Sequence, residues 1–159
     1  RTASRILVGV GPGSFTGIRV GIAAAHGLAI GWGAELSGMS SLALIAAGSA
    51  ATGQVAVAVR GGHGELFVQQ FGAGLATSSP LLNLPPADAA GAISADLVVG
   101  SGGADLVAAR GKGEARDAWP SAADAFGLPA ELRSLPARPL YSRAPDARAR
   151  PTFATTRAA

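Results

Sequence analysis

The chain is predicted to be an α/β protein, and three observations predict it. Short aliphatic runs alternate with stretches of helical period, glycine turns mark the joins, and 48% of residues are apolar against 14% charged. That balance favours a packed core over disorder. At 159 residues the chain has room for one compact domain, burying roughly two thirds of the surface its unfolded form exposes. Aromatic residues are only 5%, so the core must come from Ala, Val, Leu and Ile.

Ile6 to Val10 is a short apolar run closed by glycines, which suits a strand buried on both faces. A helix follows to about Ile30, capped by Ser14 or Thr16, with Ile18, Ile22, Ala25, Ala29 and Trp32 forming one apolar stripe. Gly17 with Gly21, and Gly27 with Gly31, stand one turn apart. Each costs about 1 kcal/mol of helix propensity relative to Ala, so close packing against another backbone is expected to offset them. Glu35 to Met39 reads as a second strand, and Ser40 or Ser41 caps a helix from Leu42 to about Ala47. Gln54 to Val59 and Glu65 to Phe71 flank Arg60-Gly61-Gly62-His63-Gly64 as a hairpin. Leu81 to Leu84 adds a strand, and Asp96 to Gly100 leads through Ser101-Gly102-Gly103 into a weak helix. A short helix is expected at Ser121 to Phe126, and an extended segment from Pro136 onward. The implied units are 1–39, 40–132 and a basic tail, 133–159.

Gly11 to Gly17, Gly-Pro-Gly-Ser-Phe-Thr-Gly, is the most distinctive stretch. Five residues separate its outer glycines, and Ile18-Arg19 follows, so the P-loop pattern fails. The dinucleotide pattern G-x-G-x-x-G is exceeded by one residue, and Glu35 lies at the wrong end of the second strand to hold a ribose. No G-x-S-x-G elbow surrounds Ser14. Two readings stay open. Gly11, Gly13, Ser14, Thr16, Gly17 and Arg19 can form an anion-binding loop at a helix N-terminus, joined by Gly100, Ser101 and Gly102; alternatively the glycines only permit a sharp turn.

Catalytic constellations are thin. His26 and His63 fit no metal motif, His26 lies off the apolar stripe, and His63 falls in the hairpin turn. Glu65 is either a functional carboxylate or a strand-edge charge, and no carboxylate pair is placed for hydrolysis. Without cysteine, disulfides and thiolate zinc sites are excluded. The longest uncharged stretch, Leu36 to Val59, is broken by polar residues and glycines and is no spanning helix. Cytoplasm is the default compartment. Net charge is +3, yet residues 1–132 hold seven basic and nine acidic groups while 133–159 hold six arginines against Asp146. Such a tail is either a solvated terminus or a phosphate contact.

Val8-Gly9-Val10-Gly11-Pro12-Gly13-Ser14-Phe15-Thr16-Gly17-Ile18-Arg19-Val20-Gly21, followed by Ala25-His26-Gly27-Leu28-Ala29, closely resembles the signature of the bacterial TsaB (YeaZ) family. Gly38-Met39-Ser40-Ser41-Leu42, Gly64-Glu65-Leu66-Phe67, Val99-Gly100-Ser101-Gly102 and Pro139-Leu140-Tyr141-Ser142-Arg143-Ala144-Pro145-Asp146-Ala147 follow in the family's order. The resemblance implies a fold of the actin, sugar kinase and Hsp70 (ASKHA) type, with two α/β subdomains and a crossing helix. It implies a role in making threonylcarbamoyladenosine beside the tRNA anticodon, as a non-catalytic subunit. The implied partners are a TsaD-type catalytic subunit that holds the metal and a TsaE-type ATPase, with a homodimer as an option and tRNA met only through the complex. No intrinsic cofactor or metal is implied; ATP or ADP can sit at the subunit junction. Partner contact is assigned to Ile18, Gly21, Ile22, Ala25, His26 and Ala29.

Two departures accompany this resemblance. The family carries Asp-Ala-Arg before Gly-Glu-Val-Tyr, where this chain has Arg60-Gly61-Gly62-His63, so the role of that Asp and Arg is expected to be lost or relocated. The family also opens with a strand pair holding Asp-Thr-Ser, so the first subdomain is expected to be incomplete and the sheet around Ile6 to Val10 to expose an open edge. The rival class is an enzyme of the same fold, a nucleotide-binding phosphotransferase or a metallopeptidase-like protein.

Overall fold

In the computed structural model the described residues are 2–141; the tail positions Arg143, Asp146, Arg148, Arg150 and Arg157, and the motif beyond Tyr141, lie outside them. Two sheets organise the chain, a two-stranded one, β1-β2, and a five-stranded one ordered β5-β4-β3-β6-β7.

β1 (Arg5–Gly9) and β2 (Glu35–Met39) run parallel, with Ile6 opposite Leu36 and Val8 opposite Gly38. Parallel neighbours need a crossover, and α1 (Phe15–Trp32) supplies it. α1 ends because Gly33 adopts φ 62°, a left-handed cap that glycine takes without strain. β1 has β2 on one edge and, among the described residues, no strand on the other. β2's free edge is engaged by residue 135: Gly38 N–H donates to Leu135 O at 2.6 Å and Leu135 N–H to Gly38 O at 3.1 Å. Only glycine fits there, since a Cβ on Gly38 would lie 2.6 Å from Val10 Cγ1 and 2.7 Å from Pro136 O.

α2 (Ser41–Gly48) is capped by Ser40, whose Oγ accepts from Ala43 N–H at 3.3 Å. β3 (Val55–Arg60) and β4 (Leu66–Phe71) form the antiparallel hairpin, and β5 (Leu82–Leu84) extends it. β6 (Leu97–Val99) and β7 (Glu114–Arg116) add in parallel beside β3. β3 shows why its sequence alternates Val and Ala. Val55 and Val57 face α2 with Phe71 and Val99, whereas Ala56 and Ala58 face the opposite side with Leu66, Val68 and Leu106. That side is covered by α3 (Pro86–Ala92) and α4 (Gly103–Arg110), and the small alanines let these helices sit close. The short helix expected at Ser121 to Phe126 is a 3-10 helix, Ala122–Gly127. Residues 133–141 lie against the first sheet: besides the Leu135 contact, Leu140 N–H donates to Val10 O at 2.8 Å and His26 Nε2 lies 3.3 Å from Ala137 O.

Candidate functional site

The first glycine turn carries β1 into α1. Gly11 is buried with φ 103°, and a Cβ there would press on Ile18 Cδ1 at 2.7 Å, so the position demands glycine. Its carbonyl accepts from Ser41 N–H at 2.9 Å, which ties the turn to α2. Ser14 is the cap: its Oγ accepts from Gly17 N–H at 3.3 Å and its carbonyl from Ile18 N–H at 2.9 Å. Two amides an anion would want are thus already engaged. Arg19 points elsewhere, stacking over Phe15 with its guanidinium carbon 3.6 Å from the ring centroid and donating Nε–H to Tyr141 OH at 2.8 Å.

The second glycine turn is tied into the fold through its backbone amides. Gly100 N–H donates to Arg116 O at 3.0 Å and Gly102 N–H to Ala58 O at 2.9 Å. Both amides are committed inside the fold. These glycines exist for packing: Gly100 has φ 115° with Ala58 O directly against its Cβ position, and a Cβ on Gly102 would lie 2.7 Å from Leu66 Cδ2. Ser101 differs, because its Oγ accepts from Arg60 N–H at 3.2 Å and it faces the cleft.

Gly13, Ser14, Gly17 and Ile18 do meet Ser101, across a cleft of about 550 Å³ between the two sheets. Gly11, Thr16, Arg19, Gly100 and Gly102 do not line it. Its other polar walls, Ser41, Arg60 and Asp117, and its aromatic wall, Trp119, escaped the sequence reading. Only their convergence marks them, and nothing in local sequence signals it. Arg60 is fixed by a fork onto Asp105, Nε to Oδ2 at 2.7 Å and Nη2 to Oδ1 at 3.2 Å. This hydrogen bond, before the charge attraction, holds the Asp105 carboxyl below the usual carboxylate range and raises the Arg60 guanidinium further. A second hollow of about 440 Å³ lies beyond that pair, bordered by Glu65, Pro86 and Ala108. The pair joins the end of β3 to α4. Among the described residues no group of three or more His, Asp or Glu is placed to hold a metal ion.

α1 has two apolar faces, and this redistributes the expected partner contacts. Ile22, Ala25 and Ala29 are buried on the helix's inner side, facing the chain's own β1-β2 sheet. Ile18 and Gly21 are half-buried and His26 is exposed. Val20, Leu28 and Ile30 are exposed at 63%, 45% and 83%. Among the described residues, nothing lies within 4 Å of a Cβ placed on Gly21, Gly27 or Gly31, so the tight backbone approach expected there is not made by them.

Comparison with known proteins adds three findings. Residues 1–80 match the family model described as TsaD: tRNA N6-adenosine threonylcarbamoyltransferase. The fold is similar to that of a Pseudomonas aeruginosa protein whose crystal structure is described as having similarity to the peptidase YeaZ, with TM-score 0.72 and 25% identity over 88% of this chain and 74% of that one. YeaZ from Pseudomonas aeruginosa itself superposes with TM-score 0.71 at 24% identity, covering 87% of this chain and 74% of its own. No curated protein matches the chain in sequence. No helix among the described residues is long and apolar enough to cross a membrane.

Proposed function

This chain belongs to the TsaD family, tRNA N6-adenosine threonylcarbamoyltransferase, and has the YeaZ fold; on that premise we propose that it is a TsaB-type protein of tRNA modification that works as a binding subunit. The observation that carries this reading is α1, apolar on both faces. A helix that is apolar all round is one covered on both sides. Its inner face has the sheet. Its outer face presents Val20, Leu28 and Ile30 around the open glycines Gly27 and Gly31. Burying a large aliphatic side chain is worth about 1.5–3 kcal/mol, so covering these three would drive association strongly.

The partner in this reading is a TsaD-type catalytic chain, with a TsaE-type ATPase joining the pair, tRNA reached through the complex, and ATP or ADP in the cleft at the junction. A second copy of this chain is the competing cover for the same face. The test is co-purification with a TsaD-type chain of the double variant Leu28→Asp, Ile30→Asp, whose melting temperature is expected to match the parent because both positions are exposed. Loss of the pair supports the reading, and undiminished pairing removes α1 from the interface. The rival enzymatic reading draws on the cleft itself, where Ser14, Arg60 and Asp117 face one space. It requires ATP turnover by the chain alone, which a phosphate-release assay reads directly.

A further inference from the structure

Two opposite charges face the cleft between the sheets and do not meet. Arg60, at the end of β3, and Asp117, just past β7, are the charged side chains that line this space of about 550 Å³ among the described residues. They attract each other: the Arg60 guanidinium, raised first by its hydrogen bond to Asp105, is raised further by the charge of Asp117. Yet Asp117 forms no ion pair with any described residue, so a gap separates the two. Both ends are anchored. Arg60 is held by its fork onto Asp105 and by its own amide, which donates to Ser101 Oγ at 3.2 Å. Asp117 is followed by Ala118, which packs against the core cluster of α2 and β3, while Asp117 and Trp119 on either side of it line the cleft.

An unmade ion pair across a cavity is the complement of a small molecule that carries both charges. At one end, Arg60 uses Nε and Nη2 on Asp105, and Nη1 has no described partner. Ser101 Oγ serves as an acceptor there, which leaves its own O–H to donate. Guanidinium and hydroxyl together suit a carboxylate. At the other end, the Asp117 carboxylate shares its wall with Trp119, which is 70% exposed. A carboxylate with an indole suits an ammonium group. Ile18 and Ile45 add apolar wall, which suits an aliphatic side chain. Other ligand charges fit less well. A polyphosphate would meet Asp117 and find one lining cation, already shared with Asp105, so a nucleotide at the junction would depend on cations from the partner. A simple amine would meet Arg60.

We propose that the cleft of the free chain binds a small zwitterion, an α-amino acid with an aliphatic side chain, its carboxylate on Arg60 and Ser101 and its ammonium on Asp117 and Trp119. The inference goes beyond the subunit reading and does not rest on it. Its assay uses the chain alone, whereas that reading is decided by co-purification, so the two fail separately. Isothermal titration of the full chain should show saturable binding of L-leucine. L-Leucinamide, which lacks the carboxylate, and 4-methylpentanoate, which lacks the ammonium group, should each bind at least about tenfold more weakly, the lower end of the loss of a hydrogen bond to a charged group. Asp117→Asn should weaken leucine by a similar factor and leave 4-methylpentanoate no weaker. Arg60→Gln should weaken leucine and leave leucinamide no weaker. Asp117 is exposed, so its variant is expected to melt with the parent and reports on binding even if Arg60→Gln loosens the contact with α4. Undetectable leucine binding, leucine no tighter than either analogue, or an unchanged affinity in Asp117→Asn would each overturn the proposal. ADP binding to the chain alone where leucine does not bind would overturn it in favour of a nucleotide.

Discussion

At the scale of single residues, the glycine turns hold the clearest predictions because backbone geometry decides them. Gly100 combines φ 115° with a Cβ direction blocked by Ala58 O, so Gly100→Ala meets both backbone strain and a backbone clash. It should cost about 2–4 kcal/mol, read as a lowered denaturation midpoint; a loss below ~0.5 kcal/mol would show that the turn relaxes freely. Asp105 makes a pH-dependent prediction. Its folded pKa is depressed by Arg60, so the unfolded chain binds a proton more readily, and the contribution is complete above the unfolded value and lost as pH falls through the folded one. The pair is exposed, so the effect is small. Asp105→Asn should flatten the acid limb of the melting profile below about pH 4 while leaving stability near neutrality little changed; an unaltered acid limb would mean that the fork does not persist in solution.

At the scale of elements, α1 decides what was legible. Its existence, its start at Ser14 or Thr16 and its inner stripe were readable because a hydroxyl before a 3.6-residue apolar period is a local signal, and the structure selects Ser14 as the cap. Which apolar face turns inward is not local information, and the sequence does not show that Ile22, Ala25 and Ala29 pack on the chain's own sheet. The same limit hid β7 and α3. Glu114–Arg116 is three exposed residues made a strand only by pairing with β6, and Pro86–Ala92 is a short alanine-rich turn of helix with little period to read. The cleft walls Arg60, Asp117 and Trp119 lie up to 59 positions apart in sequence and were invisible for that reason. The two faces of α1 can be told apart by substitution. Ile22→Asp buries an unpaired carboxylate and should lower stability by more than about 3 kcal/mol, whereas Leu28→Asp should change it by less than ~1. Equal melting temperatures for the two would mean that the inner face is not packed as described.

At the scale of the molecule, the two sheets differ in how they are protected. β3 lies at the centre of five strands, with Val55, Ala56, Val57 and Ala58 all at most 1% exposed because α2 covers one face and α3 with α4 the other. β1 sits in a pair, its Ile6, Leu7 and Val8 are only half-buried, and its second edge has no strand among the described residues. Two-stranded pairing alone is marginal in water, so the first sheet depends on α1 and on the segment around Leu135 and Leu140. Local opening should therefore start there, and amide exchange of β1 should be about a hundredfold faster than that of β3, a difference of ~3 kcal/mol in opening free energy. Gly38→Ala, which places a Cβ against Val10 and Pro136 O, should displace the 135–141 segment and widen the gap by accelerating β1 exchange while leaving β3 unchanged. Matching protection in β1 and β3 would show instead that the two sheets open as one cooperative unit, and acceleration spreading into β3 in the variant would carry the same meaning.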